Sequence, residues 1–191
     1  MFSKNKIKSL LSRPEFSALA IFIFLLVIFA FANDHFLNSR NFMVILSTYP
    51  ELALVALGIT ILMISGEFDL SVGSVFAVSP IVTMILISDH ELHYIASILI
   101  GLLAAASIGF INAVVTIKFK IPSFIATLGM LFMARSMAVV ISGGFPPSVP
   151  KDLPTEWLVG RVDMFRVSIF WLIGIALICN YVLKKTNFGN W

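Results

Sequence analysis

The sequence predicts an all-α, polytopic transmembrane helical bundle of about six spans with both ends cytoplasmic, and three observations predict it. Only 12% of the 191 residues are charged, against 59% hydrophobic, whereas soluble domains carry about 25% charge. Mean hydropathy is +1.02, and the apolar residues fall into runs long enough to cross a bilayer, which takes ~20 residues. Lys and Arg, finally, gather beside those runs on one predicted side. The net charge of +3 therefore points to a membrane partner, lipid, and not to nucleic acid, which needs a water-facing basic surface with aromatic platforms. The single cysteine, Cys179, lies in an apolar run, so no internal disulfide, no Cys-based metal site and no cofactor are expected.

Residues 1–15, with Lys4, Lys6, Lys8 and Arg13, read as a cytoplasmic segment, and residues 16–191 as a transmembrane domain. Ala30-Phe31-Ala32 looks like a leader-peptide cleavage site, but Phe16–Ala32 has 17 uncharged residues, more than the about 7 to 15 of a leader's apolar region. A retained first span is the expectation. The following apolar segments are Phe42–Ile64, Leu70–Ile87, Tyr94–Ile117, Ile121–Ile141 and Val167–Leu183. Among them only Glu51, after Pro50, and Arg135 are charged. Each is costly if it faces lipid alone, so each should face protein or water, and an ion pair between them is open.

With the first residues inside, the inner segments hold 8 basic residues in 31 positions and the outer ones 4 in 40, which sets the orientation. In the fourth segment Gly101, Ala105, Gly109 and Ala113 recur every four residues and should line one packing face. Asn112 beside them is either interhelical glue or part of a polar path. Met130, Met133 and Met137 make a stripe in the fifth that reads as a packing seam. The outer loop Ser142–Arg166 carries Gly143, Gly144 and four prolines that forbid a long helix, with a short interfacial turn expected near Thr155–Val159 and Trp157. His90 and His93 flank Glu91 and Leu92, one residue short of a zinc motif, and read as a solvated loop.

The densest polar cluster, Ser65 to Ser74, separates two apolar segments. One reading makes Gly66 the end of the second helix and Asp69 the N-cap of the third. The other makes it a break lining an aqueous cavity, since two acids without a base defy the positive-inside trend. There is no G-x-x-x-x-G-K-[ST] loop and no G-x-S-x-G elbow, so the chain is not expected to bind and hydrolyse ATP by that route.

Gly66-Glu67-Phe68-Asp69-Leu70-Ser71-Val72-Gly73-Ser74 resembles the Gly-Gly-x-Asp-Leu-Ser-Val-Gly-Ser hallmark of permease subunits of bacterial ABC importers for ribose, xylose and related sugars. Ordered matches accompany it: Ala56 to Thr60, Gly109 to Ala113, Ile121-Pro122-Ser123 through Gly129, Arg135, Ser142 to Gly144, and Thr186-Asn187-Phe188-Gly189. Glu67 departs from the family's second glycine. Members are also longer, so the resemblance implies an N-terminal portion of a permease whose C-terminal half is absent. It further implies a non-enzymatic subunit in the bacterial inner membrane, translocating a monosaccharide. The implied partners are cytoplasmic ATP-binding subunits, a second permease copy and a periplasmic sugar-binding protein. Asp69, Ser71, Ser74, Asn112, Thr127 and Arg135 are the expected path or hinge residues. The alternative is a secondary transporter or small channel using Glu51 and Asp69 for proton or ion coupling.

Overall fold

The computed structural model describes residues 14–150, 153–162, 165–186 and 189. Most of the expected cytoplasmic segment 1–15, and Asn187 and Phe188 of the last family match, lie outside the described residues. The six apolar segments are all helical. They give α1 (Pro14–Ala32), α2 (Ser39–Thr48), α3 (Pro50–Ile64), α4 (Val72–Ser88), α5 (Tyr94–Phe119), α6 (Ser123–Ile141) and α8 (Ser168–Lys185). In the outer loop stand α7 (Glu156–Val159), on the expected turn, and a two-stranded antiparallel ladder of β1 (Arg161–Val162) and β2 (Phe165–Arg166). By length and composition α5, α6 and α8 can each cross a membrane, and α2 with α3 makes a fourth crossing if the bent pair is one span. Phe16–Ala32 and Val72–Ser88 are apolar but shorter, about 26 Å at helical rise, and need flanking residues to reach both interfaces.

The second expected span is therefore broken. Pro50 has no N–H for the carbonyl of Leu46, and α2 and α3 meet at 52°. Arg166 Nη1 fills the gap: it donates to Ser47 O at 2.9 Å and lies 3.0 Å from Glu51 Oε1. This corrects the open pairing of Glu51 with Arg135. Arg135 is exposed on α6, with no ion-pair partner among the described residues.

Helices α4, α5 and α6 pack on one another, while α3 packs on α8. Their shared core is small, Val78, Ile108, Ala134 and Ala138. The buried polar residues Ser71, Ser74, Thr83, Ser97, Asn112, Thr127 and Ser168 outnumber the buried apolar ones among the described residues. That inversion suits lipid, where apolar burial no longer drives association and small or polar side chains make the helix contacts.

Two packing expectations change. The packed face of α5 is Ser97, Gly101, Ile108 and Asn112, because the helical period is 3.6 and not 4. Of the two glycines in the small-residue ladder, Gly101 makes the close approach: a Cβ there would meet the Thr83 hydroxyl and sit 2.7 Å from Ser79 O, whereas at Gly109 it would meet nothing. Likewise Met130 packs on the core, but Met133 and Met137 are exposed, so the methionine stripe is not one seam.

Candidate functional site

The Ser65–Ser74 cluster folds as a short connection held from both sides. Just past the end of helix α3 and its C-cap Ser65 stands Gly66, with φ +86°; Gly66 N–H donates to Met63 O at 3.0 Å and Glu67 N–H to Leu62 O at 3.3 Å. This is the Schellman pattern that a glycine at this position permits. Glu67 does not share the positive φ, so the departure from the family's glycine needs no left-handed backbone and leaves this turn intact.

Asp69 is not the N-cap of α4, as one reading had it; that position is Ser71. The carboxylate acts two residues earlier. Its Oδ1 accepts from Ser71 N–H at 2.7 Å and from Ser71 Oγ at 2.6 Å, an Asx turn that positions the first turn of α4. Ser71 Oγ in turn accepts from Asn112 Nδ2 of α5 at 3.0 Å. From the α6 side, Ser123 Oγ accepts from Phe68 N–H at 3.2 Å, and Thr127 Oγ1 accepts from Leu70 N–H at 3.1 Å. Thr127 Oγ1 donates to Ser123 O at 2.7 Å, and Ser74 Oγ donates to Leu131 O at 2.9 Å. A hydroxyl both donates and accepts, so each can link two elements at once.

Five of the six expected site residues, Asp69, Ser71, Ser74, Asn112 and Thr127, thus belong to one hydrogen-bonded brace joining α4, α5 and α6. Ser71 is fully buried, and Ser74, Asn112 and Thr127 nearly so. Arg135 takes no part. Of the family-motif residues, Leu70 joins the brace through its N–H, Val72 and Gly73 open α4, Gly129 lies within α6, and Pro122 precedes α6 as its N-cap residue. Ser123 and Arg166 were missed. Ser123 had a readable signal, a serine at the start of an apolar helix, whereas Arg166 lies 115 residues from Glu51 and carried none.

Beside the brace runs a cavity of about 630 Å³, within the usual range for small-molecule sites. Among the described residues Asp69 is the one charged group in its lining, three residues before α4. One face of α4 (Val72, Phe76, Ser79, Thr83) and one of α5 (Ile98, Leu102, Ala105, Gly109) form its walls, with Val55 of α3 and Thr155 and Leu158 of the outer loop. Polar contacts are few: one carboxylate and the hydroxyls of Ser79, Thr83 and Thr155. Such a lining is mostly apolar and offers a polar solute few directional partners. His90 and His93 lie in the α4–α5 turn, the His93 ring 4.7 Å from that of Tyr94.

Residues 41–191 match the family described as branched-chain amino acid transport system / permease component. A xylose/arabinose import permease protein of Sulfolobus acidocaldarius is 29% identical over 191 residues, covering 97% of this chain and 53% of the relative. An autoinducer 2 import system permease protein of Escherichia coli is 30% identical over 190 residues, covering 96% and 54%. One of Yersinia enterocolitica is 29% identical over 179 residues, covering 92% and 49%. The chain spans about half the length of these relatives. No solved structure matches it.

Proposed function

This chain belongs to the permease-component family of branched-chain amino acid transport systems, and from that premise we propose that it serves an ATP-binding cassette importer as the membrane subunit passing a monosaccharide. It is a multi-pass integral membrane protein, placed in this reading in the bacterial inner membrane with both ends in the cytoplasm. Cytoplasmic ATP-binding subunits, a second permease copy and a periplasmic sugar-binding protein complete the assembly. ATP hydrolysis resides on those partners. The names of the relatives, which import xylose/arabinose and autoinducer 2, support a small polyhydroxylated solute.

The observation carrying the proposal is the brace. It ties the first turn of α4 to α5 and α6 through buried polar contacts, so movement at the α3–α4 connection is passed to both neighbours, and the cavity wall moves with them. Asp69 stands where the brace meets the cavity, and offers its carboxylate to solute hydroxyls. The coupled-transport alternative needs both Glu51 and Asp69 for the proton or ion, yet Glu51 is engaged by Arg166. The test is co-expression with the candidate ATP-binding and sugar-binding subunits, followed by uptake of labelled xylose into right-side-out vesicles loaded with ATP. ATP-dependent uptake and co-purification of the ATPase are expected. Uptake that survives ATP depletion and collapses with the proton gradient overturns the reading.

A further inference from the structure

Between the end of α1 and the start of α2, residues 33–41 shape a second cavity of about 570 Å³, lined by three asparagines, His35, Arg40, Phe36 and Val44. Its polarity follows from how the amides are anchored. Asn33 Oδ1 accepts from His35 N–H at 2.8 Å. Asn38 Oδ1 accepts from Arg40 N–H at 3.3 Å and from Ser39 Oγ at 3.3 Å. A backbone N–H can only donate, so both side-chain amides turn their oxygens toward the chain and leave their NH2 groups free to donate outward. Asn41 is used internally, Nδ2 donating to Phe36 O at 2.8 Å, which closes the turn.

Arg40 adds a permanently charged fork of N–H donors and His35 at least one ring N–H. Among the described residues no carboxylate pairs with Arg40, and Asp34, the acid on the same turn, is not part of the lining. The lining thus brings the donors of Arg40, His35, Asn33 and Asn38 together with one amide acceptor, Asn41 Oδ1, a cationic balance weighted toward donors that suits a tetrahedral oxyanion, with the guanidinium able to give paired hydrogen bonds to two oxygens.

We infer that this turn is a seat for the phosphate of a phospholipid headgroup. Place decides the source of the phosphate. The turn joins two apolar helices that expose Phe29, Phe31, Phe42 and Val44, so it stands at the headgroup level of the leaflet. Phe36, its ring 5.7 Å from that of Phe29, and Val44 give the cavity an apolar wall for the glycerol and first acyl carbons. A soluble phosphate makes no use of that wall, whereas a phospholipid engages both the donors and the apolar side of the cavity.

The test uses the full chain, purified in detergent, incubated with phosphatidylglycerol and read by native mass spectrometry for retained lipid. Wild type retains phosphatidylglycerol but not diacylglycerol, which lacks the phosphate. The doubly substituted Arg40→Ala, His35→Ala chain retains about tenfold less, as loss of charge-assisted hydrogen bonds implies. Arg40→Lys is intermediate, and Lys118→Ala, at the far end of α5, retains as wild type. All variants must keep the helical circular dichroism of wild type; these exposed positions make no packing contact that folding needs. Equal retention by the double variant, or retention of diacylglycerol as strong as phosphatidylglycerol, overturns the inference. Displacement of the lipid by millimolar inorganic phosphate overturns the headgroup assignment in favour of a soluble-anion site.

Discussion

The Ser71 hydroxyl donates to Asp69 and accepts from Asn112, so Ser71→Ala breaks both links and leaves the Asn112 amide buried without its partner. We expect Ser71→Ala and Asn112→Ala each to lower stability by about 1 kcal/mol, with a coupling near 0.6 kcal/mol in the double variant. Denaturation in mixed micelles measures this; strictly additive effects would mean the contact contributes nothing. Gly101 and Gly109 make a sharper contrast. At Gly101 an added methyl meets the Thr83 side chain and the Ser79 carbonyl, so Gly101→Ala should cost about 1–3 kcal/mol. Gly109→Ala, in open space on the same helix, should be neutral or gain up to about 1 kcal/mol from helix propensity. Equal melting temperatures for the two variants contradict the packing described. Both glycines looked alike in the sequence, since a four-residue repeat does not say which of its members touches a neighbour.

Hydropathy located the helices well because lipid imposes one rule on every spanning segment, an unbroken apolar run with its backbone satisfied internally. It did not find the break at Tyr49-Pro50, since one proline barely changes the average over a window. The break matters because the guanidinium of Arg166 bonds both sides of it, the carbonyl of Ser47 and the carboxylate of Glu51. Each partner of the ion pair is about 30% exposed at its side chain, so solvent screening is partial. Arg166→Ala should destabilise by about 1–2 kcal/mol, which allows for that screening. Arg166→Lys should recover part of this, keeping a positive charge beside Glu51 without the guanidinium geometry that also serves Ser47 O. If Arg166→Ala melts with wild type, the α2–α3 corner is held by proline geometry alone.

At the scale of the whole molecule, the excess of Lys and Arg on one predicted side gives the expectation, carried into the proposed function, that both ends of the chain face the cytoplasm. Cysteine labels introduced at Lys6 and Lys185, in a Cys179→Ala background, should react only with a reagent admitted to the inner face; labelling of the two from opposite faces would require an odd number of crossings. The sequence by itself determined the membrane class, the helical segments and the family, because those depend on composition, on runs of neighbouring residues and on ordered motifs. Only the tertiary structure decided which polar groups meet. Asn112 finds Ser71 across 41 positions, Thr127 meets Leu70 across 57, and Arg166 reaches Glu51 across 115. Hydrogen bonds and ion pairs act over about 3 Å in space, and chain spacing carries no record of such proximity until the helices have packed.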